Sequence, residues 1–135
     1  MSVTDRPDES KDPGTIGKTV EPGEEEVTAL EVEQDGTLED LQLRFYPGQM
    51  LSLRLRVVIR RNNEELPLIE TAGKPFLDGD DDMFYWDTSR PVLAGDRIAV
   101  IAENVGDHPY DYRLNVDIDH YGGVERLISR FRRWL

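Results

Sequence analysis

The sequence predicts an all-β fold, an antiparallel β-sandwich of jelly-roll type, flanked by an extended N-terminal arm and a short C-terminal amphipathic helix. Three observations predict it. Short runs of alternating apolar and polar residues recur through the middle of the chain, as side chains on opposite faces of a strand require. Clusters of Gly, Pro, Asn and Asp separate these runs at intervals of roughly ten residues, the spacing of sandwiches and barrels rather than of βαβ units. A helical period enters only over residues 124–135. At 135 residues and 15.5 kDa the chain holds one domain of ordinary size. The reading divides it into an acidic arm over residues 1–26, a sandwich over 27–122 and a helix over 123–135.

The arm holds Pro7, Pro13, Gly14, Gly17, Pro22 and Gly23, ends in Glu24, Glu25 and Glu26, and has almost nothing apolar to bury. A neighbouring chain would give it something to lie against. A first strand is expected over 27–33. Leu41, Leu43 and Phe45 alternate with Gln42 and Arg44 before the turn at Tyr46, Pro47, Gly48 and Gln49. Leu51, Leu53, Leu55, Val57 and Ile59 then alternate with Ser52, Arg54, Arg56, Val58 and Arg60, the clearest strand in the chain. Arg61, Asn62, Asn63 and Glu64 read as a turn, and 66–71 as a short strand that Pro67 places at a sheet edge. Residues 73–82 read as a loop and 83–86 as a short aromatic strand. The mostly apolar run 97–103 reads as a central strand, and 110–120 as a long alternating one closed by Gly122 and Gly123.

The charge balance narrows the environment. Twenty-eight Asp and Glu oppose 16 Lys and Arg, a formal net charge of −12, which opposes extended contact with a phosphate backbone and excludes free nucleic acid as the natural partner of the sandwich. Lysine stands only at 11, 18 and 74, against 13 arginines. Excess carboxylate with few lysines is the composition of halophilic proteins, in which concentrated salt screens self-repulsion, and it fits an archaeal source. An acidic mesophilic protein with arginine-rich codon usage is the plainer reading. No cysteine is present, so disulfides, thiolate metal sites and thiol nucleophiles are excluded. No window is long and apolar enough to cross a bilayer, and residues 1–10 lack the basic-then-apolar pattern of a secretory signal, so neither membrane insertion nor ordinary export is expected.

Catalytic residues are not expected. His108 and His120 are the only histidines and neither belongs to an HxH or HExxH pattern; Ser52, Ser89 and Ser129 sit in no nucleophile elbow; no Gly-rich phosphate loop exists. Asp78, Asp80 and Asp82 in the loop Asp78-Gly79-Asp80-Asp81-Asp82 are candidate oxygen ligands for a structural Ca²⁺ or Mg²⁺, but the spacing and closing Glu of an EF-hand are missing, and a solvated acidic loop is the simpler reading. Tyr46, Tyr85, Trp86, Tyr110 and Tyr112 could stack on sugars, which makes a glycan- or surface-binding module the alternative function, although alternation assigns them to the core.

The strongest candidate for partner binding lies at the C-terminus. Val124, Leu127, Ile128, Phe131 and Leu135 follow the spacing of one helix face, while Arg126, Arg130, Arg132 and Arg133 make the remainder basic. One reading has the helix cap its own sandwich. The other has Leu127, Ile128, Arg130, Phe131, Arg133 and Trp134 dock on an acidic groove of a neighbouring subunit, with Trp134 as an anchor. A dozen residues is short for stable membrane anchoring without a second signal.

The passage Arg90-Pro91-Val92-Leu93-Ala94-Gly95-Asp96-Arg97-Ile98-Ala99-Val100-Ile101-Ala102-Glu103-Asn104 resembles the "hydrophobic, Ala-Gly-Asp, strand, Glu-Asn" stretch of small jelly-roll proteins from tailed-virus particles, and the resemblance extends in strand order from Thr37 to Gly122. Joined to the halophilic composition, it implies a non-enzymatic virion protein of a haloarchaeal tailed virus: a capsid decoration, turret or head-to-tail component. Its partners would be other virion proteins and copies of itself. The basic terminal helix departs from the family pattern.

Overall fold

The structure, a computed structural model, describes residues 14–69 and 74–120. Among the described residues the chain forms eight strands: β1 Gly14–Val20, β2 Glu25–Glu31, β3 Gly36–Phe45, β4 Leu53–Arg61, β5 Glu64–Pro67, β6 Asp82–Val92, β7 Arg97–Asn104 and β8 Tyr110–His120. They build two four-stranded antiparallel sheets, in the orders β1-β8-β3-β6 and β2-β7-β4-β5. The pairings β1·β8, β2·β7, β3·β6 and β4·β5 are those of a chain folded back on itself at β4–β5 and rolled into two layers, which is a jelly roll.

Alternation decides which face of each strand is buried. Leu38, Leu41, Leu43 and Phe45 of β3 point inward, the phase being restored across a bulge between Leu38 and Asp40. They meet Leu53, Leu55, Val57 and Ile59 of β4, Ile98, Val100 and Ala102 of β7, and Tyr112, Leu114, Val116 and Ile118 of β8. Phe84 and Trp86 pack from β6, Phe84 edge-on to Phe45 at 5.9 Å between ring centres. The apolar run of β7 has a second cause: Ala99 and Ile101, on its opposite face, form a small buried cluster with Val58. Pro67 and Pro91 both lie on the outermost strands β5 and β6, where a missing N–H breaks no internal ladder.

The sandwich begins earlier than expected. Gly14–Val20 pairs with β8 along its whole length, from Gly14 opposite Val116 to Val20 opposite Tyr110, and β2 starts at Glu25, so residues 14–26 belong to the body and not to an arm. An edge strand needs few apolar side chains, and Ile16 and Val20 are the two that β1 buries. Residues 1–13 of the expected arm, and 123–135 of the expected helix, lie outside the described residues. The short strand expected over 66–71 is Glu64–Pro67 instead, because Asn62 and Asn63 both take positive φ (51° and 68°) and close a two-residue hairpin. The aromatic strand is also longer than expected, Asp82–Val92.

One ion pair ties the sheet ends together. Arg61 donates from Nε to Asp96 Oδ1 at 2.9 Å and from Nη2 to Asp96 Oδ2 at 2.7 Å, while Leu93 N also donates to Oδ2 at 2.8 Å. The backbone of the same turn continues the link, since Val32 N donates to Asp96 O at 2.8 Å and Gly95 N to Val32 O at 2.8 Å.

Candidate functional site

The strand registers give the body two distinct poles. Gly36 lies opposite both Val92 and His120, so the start of β3 and the ends of β6 and β8 mark one pole, while Gly14 lies opposite Val116 partway along β8. At the far pole Val20 meets Tyr110, Phe45 meets Tyr112, and the segments 46–52, 78–81 and 104–109 cluster.

That far pole carries an exposed apolar tip on a strained, well-anchored backbone. Met50 and Leu51 are 76% and 54% exposed, and both adopt left-handed φ, 50° and 63°. Non-glycine residues in this region cost roughly 1–2 kcal/mol each, so the surroundings must hold them there. Gln49, which precedes them, is buried and donates from its side chain to the Asp111 carbonyl. Gly48 N and Gln49 N both donate to Asp80 Oδ1, at 2.9 and 3.0 Å, and Ser52 N donates to Gln49 O at 2.9 Å. Val105 N donates to Ser52 O at 2.9 Å, which brings Val105, 47% exposed, to the same end. Buried Asn104 fixes that neighbouring turn, donating to Val20 O and His108 O at 2.8 and 2.7 Å and accepting from Gly106 N at 2.8 Å. The sequence signals for the tip are two bulky apolar residues directly after a Pro-Gly turn, which alternation alone misreads as strand.

The acidic loop supports this tip. Asp80 caps the turn, Asp82 Oδ2 accepts from Asp80 N at 2.8 Å, Asp81 pairs with Arg44 Nη2 at 2.9 Å, and Asp78 lies 3.9 Å from Lys74 Nζ. Asp78, Asp80 and Asp82 are therefore not brought together as ligands, and among the described residues no three His, Asp or Glu side chains could hold a metal ion. Asp80→Ala is expected to cost about 1 kcal/mol in chemical unfolding, since two backbone donors lose a charged acceptor at a solvent-exposed site. Adding Ca²⁺ or EDTA should leave the unfolding midpoint unchanged.

The other sequence candidates separate. Leu127, Ile128, Arg130, Phe131, Arg133 and Trp134 lie outside the described residues. His108 and His120 stand at opposite poles, at the far turn and the end of β8. Tyr112 is buried, and Trp86 and Tyr110 pack against the core as alternation requires; Tyr46 lies beneath the Arg44 guanidinium at 5.3 Å. Tyr85 corrects the expectation. On β6 residues 84 and 86 face inward, so Tyr85 faces out, 57% exposed, and its hydroxyl donates to Asp40 Oδ1 at 2.8 Å. That hydrogen bond, then desolvation and the charges of Asp40, Asp87 and Asp117, hold its phenol above the ordinary tyrosine range.

No family model matches the chain, and no curated protein matches it. Among solved structures the chain is similar to the crystal structure of Yersinia pseudotuberculosis-derived mitogen (YPM), at 12% identity and a TM-score of 0.49, over 86% of this chain and 93% of that one. No helix among the described residues is long and apolar enough to cross a membrane.

Proposed function

We propose that this chain is a non-enzymatic structural protein of a virus particle, a decoration, turret or head-to-tail component in a high-salt environment, and that it assembles head to tail with copies of itself. The observation that carries the reading is the polarity of the body: β8 ends at one pole, with His120 opposite Gly36, while the opposite pole presents Met50, Leu51 and Val105. The segment 124–135 carries the matching chemistry in its sequence, Leu127, Ile128 and Phe131 at the spacing of one helix face among arginines, and Asp80, bonded to Gly48 and Gln49, stands beside the tip with Asp81 next to it. If the segment folds as the helix its sequence predicts, it falls short of its own tip: three linking residues and a twelve-residue helix would span about 28 Å. The 11-residue β8 that separates the poles spans about 35 Å. A second copy is then the occupant, and such a head-to-tail contact closes into a ring or continues as a stack. The resemblance of residues 90–104 to tailed-virus jelly rolls and the acidic, lysine-poor composition support the reading that this assembly belongs to a haloarchaeal virus particle.

The test is the absolute mass of the full-length chain by light scattering in about 2–3 M salt, where surface charge is screened. A defined oligomer is expected, and Leu51→Asp at the exposed tip should reduce it to monomer. A wild-type monomer over a wide concentration range rules out self-assembly.

A further inference from the structure

The outer face of the sheet β1-β8-β3-β6, away from both poles, has a composition that assembly does not use. Thr15, Asn115, Gln42 and Tyr85 are in register across all four strands and form one row of uncharged hydrogen-bonding side chains ending in an exposed ring. Thr15 Oγ1 donates to Asn115 Oδ1 at 3.1 Å and Asn115 Nδ2 approaches Gln42 Oε1 at 3.5 Å, so the amides are oriented relative to one another. Beside this row Asp117, Asp40 and Asp87 occupy directly paired positions on β8, β3 and β6. Like charges so paired destabilise a sheet. Between the two rows lies an open depression of about 440 Å³ lined by Asp40, Gln42, Tyr85, Asn115, Val116 and Asp117.

We infer that this depression is a carbohydrate-binding site for neutral glycans. Its parts match the two sides of a pyranose. The Tyr85 ring offers an apolar face for the C–H side of the sugar, and its hydroxyl, anchored on Asp40, limits ring rotation before any ligand arrives. The carboxylates of Asp40 and Asp117 accept from sugar hydroxyls, and the amides of Gln42 and Asn115 both donate and accept, the mixture that vicinal hydroxyls need. An anionic group of a sialic acid, uronic acid or sulfated sugar seated here would lose its water against carboxylates with no cation among the described lining residues to pair it, a contact cost that mobile salt does not remove, which selects neutral rings. Stacking and hydrogen bonding also survive molar salt, where ion pairing is screened.

The experiment is binding of the labelled full-length protein to an array holding neutral and acidic glycans in about 2 M salt. Retention on a set of neutral glycans and not on their sialylated or sulfated counterparts is expected. Tyr85→Ala should weaken binding at least about tenfold, and Tyr85→Phe, which keeps the ring, should stay within about threefold of wild type. Each variant is checked for an unchanged melting temperature and an unchanged mass by light scattering, so loss of folding or of assembly is read separately. No retention of the wild type on any neutral glycan, or Tyr85→Ala binding as well as wild type, overturns the inference.

Discussion

Phe45→Ala is expected to lower folding stability by about 4 kcal/mol, the largest effect of any single truncation considered for this fold. Phe45 is fully buried at the end of β3, paired with Tyr112 on one side and Asp82 on the other. Its ring meets Phe84 edge-on, and the far side packs so closely on the acidic loop that a Cβ built on Gly79 would come within 3.0 Å of it. The neighbours that would have to collapse into the cavity are strands held in their ladders, so relaxation is limited and the cavity cost is added to the lost transfer energy. A domain of this size has about 5–15 kcal/mol in total, so the variant retains little margin. Denaturant unfolding at fixed high salt measures it, and Phe45→Leu should recover most of the loss.

Asp96→Ala is expected to cost about 3 kcal/mol. The Asp96 side chain is 3% exposed and both its oxygens are occupied, by Arg61 and by Leu93 N, so truncation removes a bidentate ion pair and a turn cap together. Arg61 is 32% exposed and can rehydrate, which keeps the effect at the lower end of the range for breaking a buried pair. The reverse substitution, Arg61→Ala, leaves the less accessible carboxylate without its cation and should cost at least as much. The hydrogen bond to Asp96 holds Arg61 above its ordinary pKa, so the guanidinium stays charged through the accessible pH range. Thermal melting of Asp96→Asn separates the two contributions: it keeps an acceptor for Leu93 N and loses the charge.

These two positions also show how legible the fold was. Phe45 could be assigned to the core by alternation with Leu41 and Leu43, the same period located β4 and β8 almost to the residue, and a mostly apolar run located β7. Alternation reports burial, so it is silent where a strand buries little. Gly14–Val20 was hidden for that reason, since the register with β8 and not its own composition makes it a strand. Asp96 reads as a turn residue, and nothing in its neighbourhood announces Arg61, 35 positions earlier, as its partner. The apolar tip was misread for the opposite reason: Leu51 continues the alternation of β4, yet two left-handed residues turn Met50 and Leu51 outward. Tyr85 alternates with Phe84 and Trp86, and only the phase of β6 against β3 decides which of the three faces water.

Head-to-tail association makes a prediction that no symmetric contact shares. Leu51→Asp damages the tip and leaves the C-terminal segment intact, whereas Phe131→Asp damages the segment and leaves the tip intact. Each variant alone should be monomeric by light scattering in about 2–3 M salt. Mixed in equal amounts, they should form a one-to-one dimer, because the sound segment of the first docks on the sound tip of the second and neither can extend further. A mixture that remains monomeric, or a Phe131→Asp variant that keeps the wild-type oligomer by itself, would contradict the account.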